Sequence, residues 1–190
     1  MEIILASASP RRLEIFNNHG YDVTVMPAEV EENLPAGIKP QDAVLFLALK
    51  KALHIEEKLK AEGCEKPFRI VAADTVVYKD GILGKPEDED DAYRMLNLLN
   101  GETHCVYSGV AVIDYKGAAR TAFYDCTEVE FVKYTDEDIK NYIATGEPLD
   151  KAGAYAIQQG FAPYVKEYRG SYLNVVGFPW EKFEKMEEEW

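Results

Sequence analysis

With 190 residues, 47% of them hydrophobic and 12% aromatic, the chain can bury one sizeable core but not two large independent domains. Its formal net charge of −13 repels nucleic-acid backbones and acidic lipid surfaces, so neither nucleic acid nor membrane is an expected partner. No apolar run approaches the ~20 residues of a membrane span. The start MEIILAS lacks the basic region of a secretory signal, and Cys64, Cys105 and Cys126 show no paired spacing. A cytoplasmic chain with reduced thiols is expected, each cysteine serving as a small core residue.

Residues 2–6 read as a short buried strand that runs into Ser7, Ser9, Pro10, Arg11 and Arg12. Ser9 is a good helix N-cap and Pro10 is pre-organised for the first helical position. The helix then runs to about residue 19, and Gly20 stops it. Arg11 and Arg12 fall in its first turn, where the helix dipole disfavours cations. An anion held by open backbone N–H groups and two guanidinium groups would resolve that conflict. The alternative is that both arginines are surface residues answering an acidic protein.

Residues 21–26 read as a second strand, and residues 27–39 as a loop rich in glutamate, with Glu29, Glu31 and Glu32. These carboxylates could help hold a hard cation, since Mg²⁺ takes one or two carboxylates plus substrate phosphate oxygens. Residues 41–62 form the strongest predicted helix. Leu45, Ala48, Leu49, Ala52, Ile55 and Leu59 make its expected core stripe. Residues 68–78 read as a long strand carrying Asp74 among alanines, valines and isoleucine. A carboxylate there is costly unless it is paired or coordinates a metal. Lys79, Asp80 and Gly81 give a hairpin turn. Lys85 follows in a loop position suited to reaching a phosphate.

Residues 88–99 read as a third helix with acids in its first turn. Residues 106–115 and 121–132 are β-rich runs around Lys116 and Gly117, the pattern of a hairpin. Residues 135–145 read as a fourth helix. Residues 151–160 form a loop whose small residues would let backbone approach a ligand, with Lys151 adding charge and Gln158 able to read a base edge. Residues 164–168 suggest a short strand. Residues 170–179 read as a turn and a buried segment, and the chain from residue 178 reads as a helix that frays at its glutamate-rich end. The alternation of strands and helices around a central hairpin predicts an α/β fold with a mixed, twisted sheet flanked by helices.

No P-loop or GxGxxG is present, and three scattered histidines give no basis for a Ser-His-Asp arrangement. Arginines at a helix start, loop lysines, an intrastrand aspartate and spare glutamates suggest metal-assisted attack of water on a phosphate ester or anhydride.

The motifs ASASPRR, EVEE, AADTVV with GKP, DKAGAYAIQ and GSYLNVVGFP stand in one order and spacing. In that arrangement the chain resembles the Maf family of nucleotide pyrophosphatases, from about residue 3 to residue 179. The resemblance implies a single domain over 1–190 with a fold related to the inosine-triphosphate pyrophosphatases and a central cleft. It implies conversion of a nucleoside triphosphate and water to the monophosphate and pyrophosphate. It also implies a divalent metal cofactor, Mg or Mn, at Glu32 and Asp74, with Asp74 as general base. Substrate contacts are implied for Ser7, Ser9, Arg11, Arg12, Lys51, Thr75, Lys85 and Gln158. Arg11, Thr75 and Gln158 resemble the subgroup acting on dTTP and UTP, whereas the 7-methyl-GTP subgroup carries tryptophan in place of Arg11. The family usually continues Ile-Gln with glycine, where this chain has Gln159. If that position needs positive φ, Gln159 strains the loop. A nucleotide is thus the expected small-molecule partner, and a homodimer is possible on this reading. A non-catalytic nucleotide-binding regulator of septum formation and a general phosphatase are the alternatives.

Overall fold

The computed structural model describes residues 1–189. Its strands are β1 (Ile3–Leu5), β2 (Val23–Val25), β3 (Phe68–Tyr78), β4 (Ile82–Leu83), β5 (Thr103–Tyr115), β6 (Arg120–Phe131) and β7 (Val165–Arg169). They join in the hydrogen-bonding order β2-β1-β3-β5-β6-β7, with β4 paired to β3. The pairing is mixed, as the alternation of elements predicts: β1 is parallel to β2 and β3, while β3–β4 and β6–β7 are antiparallel. The helices are α1 (Pro10–Asn18), α2 (Pro40–Ala61), α3 (Glu89–Leu99), α4 (Asp136–Ile143), α5 (Tyr172–Val176) and α6 (Trp180–Glu188). The chain groups into two compact units, whose boundaries fall within β3, β5 and β6 and at the end of α5.

The first unit comprises Met1–Asp74, Ser108–Asp125 and Gly177–Trp190. Its core is built from β1, β3 and β5 residues Ile4, Ile70, Ala72, Ala111 and Ile113 against Ala48, Ala52, Ile55 and Leu59 of α2. The buried face of α2 is rotated from the expected one. Val44 and Leu47 are buried, Leu45 is half-buried and Leu49 is exposed. The cause lies at Gly109 of β5, where an added Cβ would stand 2.6 Å from the carbonyl carbon of Val44. Backbone meets backbone there, and this fixes which side of α2 faces the sheet. Elsewhere in this unit, Phe16 of α1 packs edge-on against Phe178, Trp180 and Phe183. Arg69 pairs with both Asp114 and Glu187, so the glutamate-rich end of α6, expected to fray, is anchored to β3.

The second unit comprises Thr75–Tyr107 and Cys126–Val176. The predicted hairpin turn holds Asp80 at φ +57° and pairs Val77 with Leu83. Asp88 caps α3 by accepting from Asp91 N, and Thr135 with Asp138 forms a reciprocal capping box on α4. Residues 151–160, expected to be a loop, contain a 3₁₀ turn at Ala152–Ala154. Gly153 lies at φ +67° against Val77, where an added Cβ would stand 2.7 Å from a valine methyl. Its small size therefore serves packing on β3. The sequence pattern does not predict helix α5. Its buried Asn174 donates to Val106 O and Thr127 Oγ1. Cys64, Cys105 and Cys126 are half-buried rather than core residues.

Candidate functional site

The first unit brings together Ser7, Arg12, Glu32, Lys51 and Asp74, all singled out from the sequence. β1 ends just before buried Ser7, and α1 begins three residues later at Pro10. The Ser9 side chain does not cap α1; instead its backbone N–H donates to Ser7 Oγ at 3.2 Å. Arg12 lies in the first turn of α1. Its Nε donates to Gly177 O at 2.8 Å and its Nη1 to Ser7 Oγ at 3.2 Å. Part of the reason for a cation at this helix start is therefore structural. Arg11, also at the start of α1, is half-buried and adds repulsion to Arg12. Burial, with this repulsion, lowers the Arg12 pKa, while Asp74 and Glu32 raise it. An arginine remains charged under such shifts.

Asp74 is carried on β3 directly after buried Ile70, Val71, Ala72 and Ala73, and its side chain is only 10% exposed. Lys51 projects from α2 and pairs with it, Nζ to Oδ1, at 2.5 Å. The same ammonium reaches Glu32 Oε1 at 2.7 Å. Glu32 lies in the irregular segment between β2 and α2 and is half-exposed. Lys50 fastens that segment by donating to Glu31 O at 2.6 Å. Burial raises the Asp74 pKa above the usual carboxylate range, with Glu32 adding to the rise. Lys51 and Arg12 oppose it. Asp74 is therefore a stronger base than an exposed aspartate, yet it keeps cationic partners that favour its ionised form.

Two hard oxygen donors, Glu32 Oε1 and Asp74 Oδ1, thus converge on a single cation, Lys51 Nζ. That donor set fits a magnesium-type ion, which binds one or two carboxylates and completes its shell with water and phosphate oxygens. Among the described residues no cluster of three or more histidine, cysteine, aspartate or glutamate side chains could hold a metal ion alone.

Thr75, Lys85 and Gln158 belong to the second unit. Thr75 follows Asp74 on β3 and is half-buried, whereas Lys85 and Gln158 are exposed. The loop bearing Lys85 is fixed to the 151–160 segment by Gly153 N donating to Gly84 O at 3.0 Å. Lys151 is buried and holds Glu147 O and Asp150 of its own unit. Among the described residues, the non-glycine positions with positive φ are Asp80, Lys116 and Ala154. Gln159 is not one of them, so the strain considered for it does not arise. Sequence reasoning does not find Gly177 O or Lys50. Gly177 O is a main-chain atom, and Lys50 resembles any surface lysine on an amphipathic helix.

Comparison with known proteins matches the Maf-like protein family model over residues 2–190. The dTTP/UTP pyrophosphatase of Acetivibrio thermocellus is 42% identical over 180 residues, covering 94% of this chain and 90% of that protein. The dTTP/UTP pyrophosphatase of Clostridium botulinum strain Eklund 17B is 45% identical over 192 residues, covering 100% of this chain and 99% of that protein. Among solved structures, a nucleoside-triphosphatase/dITP/XTP pyrophosphatase from Mycobacterium abscessus aligns with 98% of this chain and 92% of its own at 16% identity and a TM-score of 0.44. A family match along almost the entire length, with relatives above 40% identity, leaves one assignment: the chain belongs to the Maf family.

Proposed function

We propose that this chain hydrolyses nucleoside triphosphates, dTTP and UTP before others, to the monophosphate and pyrophosphate, and that residues 1–190 act as one catalytic domain. The observation that carries the reading is the pairing of Lys51 with both Glu32 and Asp74, with Arg12 close enough to oppose the raised pKa of Asp74. It combines a carboxylate of raised basicity, oxygen donors for a divalent cation and fixed positive charge. Those are the parts that water attack on a phosphoric anhydride requires. A divalent cation held by Glu32 and Asp74 would supply charge neutralisation at the phosphates and a more acidic water.

The chain's own groups do the rest. Asp74 accepts the proton of the attacking water as the oxygen–phosphorus bond forms at the α-phosphate. Breakage of the α–β anhydride bond then releases pyrophosphate, whose charge Arg11, Arg12, Lys51 and Lys85 stabilise. The hydroxyls of Ser7 and Ser9, next to the start of α1, offer donors to phosphate oxygens. The names of the Acetivibrio and Clostridium relatives support the choice of dTTP and UTP. So do Arg11, Thr75 and Gln158, the last offering an amide that can match the O4 and N3 edge of thymine or uracil.

The test is a screen of purified protein against the common ribo- and deoxyribonucleoside triphosphates and 7-methyl-GTP, with Mg²⁺ or Mn²⁺. Pyrophosphate and orthophosphate release are scored separately. The expected result is pyrophosphate from dTTP and UTP at the highest kcat/KM. Orthophosphate alone would make the chain a general phosphatase, and binding without release would make it a nucleotide-binding regulator.

A further inference from the structure

The carboxylates suited to a divalent cation already hold a cation of the chain's own. Lys51 Nζ stands 2.7 Å from Glu32 Oε1 and 2.5 Å from Asp74 Oδ1, on a side chain that is 11% exposed. A hard divalent ion needs carboxylate oxygens at about 2.0–2.6 Å. An ammonium and a divalent ion drawn to the same two oxygens compete for them, and their charges repel at such range. We propose that Lys51 is a resident counter-ion, which must leave Glu32 and Asp74 before a divalent cation can bind them and which then pairs with substrate phosphate. This rests on the pyrophosphatase reading above and adds how its site changes between the empty and loaded states.

A neighbouring contact makes the exchange workable. Lys50, the preceding residue, holds Glu31 O at 2.6 Å and touches neither carboxylate in that bond. When Lys51 leaves, the segment bearing Glu32 keeps its fastening to α2. The two neighbouring lysines divide the work: Lys50 is a positioning residue for Glu32, and Lys51 is the exchangeable charge. Without nucleotide, Lys51 has no phosphate to move to, so it holds metal affinity low. With nucleotide, the phosphates supply the missing partner. Metal and triphosphate then bind with positive coupling.

The experiment measures Mn²⁺ binding without nucleotide, by the electron paramagnetic resonance signal of unbound Mn²⁺, in the native chain and in Lys51→Met. Removal of one competing charge should tighten Mn²⁺ by at least about tenfold, and Glu32→Gln in the same background should abolish the gain. Equal or weaker binding by folded Lys51→Met overturns the proposal. If that variant does not fold, the native chain decides the matter through amine acylation read by peptide mass spectrometry. Mg²⁺ should raise the reactivity of Lys51 several-fold relative to Lys50, and an unchanged or lowered ratio overturns the proposal. Pyrophosphate release is assayed on the same preparations. An active enzyme whose Mn²⁺ affinity ignores Lys51 refutes the exchange alone, whereas failure to release pyrophosphate from any nucleotide refutes the activity.

Discussion

Arg12 Nε donates a 2.8 Å hydrogen bond to the carbonyl of Gly177, 165 residues further along the chain. The same guanidinium reaches Ser7 Oγ and offsets the raised pKa of Asp74. One side chain thereby joins the first helix, the end of β1 and the segment before α6. Replacing it with lysine keeps the charge and loses the planar fork. Arg12→Lys is therefore expected to lower stability by about 2 kcal/mol through the lost charge-assisted bonds, and also to lower kcat/KM for dTTP. Thermal melting and steady-state kinetics check both. A variant of native stability would show that the bond to Gly177 is dispensable.

Asp74→Asn is expected to reduce kcat by ~10²–10⁴, the usual worth of a general base, while the fold persists. The stability sign follows from the raised pKa. The folded state holds this proton more tightly than the unfolded chain, so at neutral pH the ionised carboxylate is a cost that the neutral amide relieves. A melting temperature at or above that of the native chain is expected, together with near-complete loss of pyrophosphate release. A folded variant that retains most of its turnover would remove Asp74 from the role of base.

Gln158→Ala is expected to compress the ratio of kcat/KM for dTTP over GTP, because an unmatched polar edge typically costs ~1–3 kcal/mol. The main effect should fall on dTTP. Equal loss for both nucleotides would make Gln158 a general contact and leave base choice elsewhere.

His104 gives a pH dependence that is independent of the chemistry. It is buried in the second unit, 2.7 Å from the Tyr155 hydroxyl and packed against Phe131, and burial pushes its pKa down to about 3. The unfolded chain takes up a proton near the ordinary histidine value of ~6.5. Stability is therefore fully present above that value and falls with acidification toward pH ~3, by up to ~1.4 kcal/mol per pH unit. Melting curves between pH 7 and pH 4 should show a shallower decline in His104→Phe than in the native chain. Parallel curves would assign the acid sensitivity to other groups.

Long, one-sided patterns are legible in the sequence. β3 runs over the residues that its β-branched run suggests, and Asp74 declares itself as a carboxylate among apolar neighbours. The face of α2 is less legible. Its leucines stand on more than one side, so periodicity admits two stripes, and the close approach of Gly109 to Val44 favours the one observed. The five-residue α5 is too short for periodicity, although Ser171 Oγ accepting from Asn174 N is the kind of cap that could mark it. In the site, Lys51 is reachable only through family resemblance. A lysine on an amphipathic helix reads as solvent-bound until tertiary structure sets two carboxylates around it. Gly177 contributes a carbonyl, which no side-chain pattern reports.

The contact at Gly109 also reaches the chemistry. Most helices rest on a sheet through a cushion of side chains, whose resizing over generations lets the helix drift. Here the cushion is missing at one point, since main chain lies against main chain where an added Cβ would stand 2.6 Å from Val44 C. About two turns further along the same helix stand Lys50 and Lys51. A side chain at position 109 would therefore push on the turn of α2 that precedes Lys50 and Lys51, and so on the distance from Lys51 to Asp74.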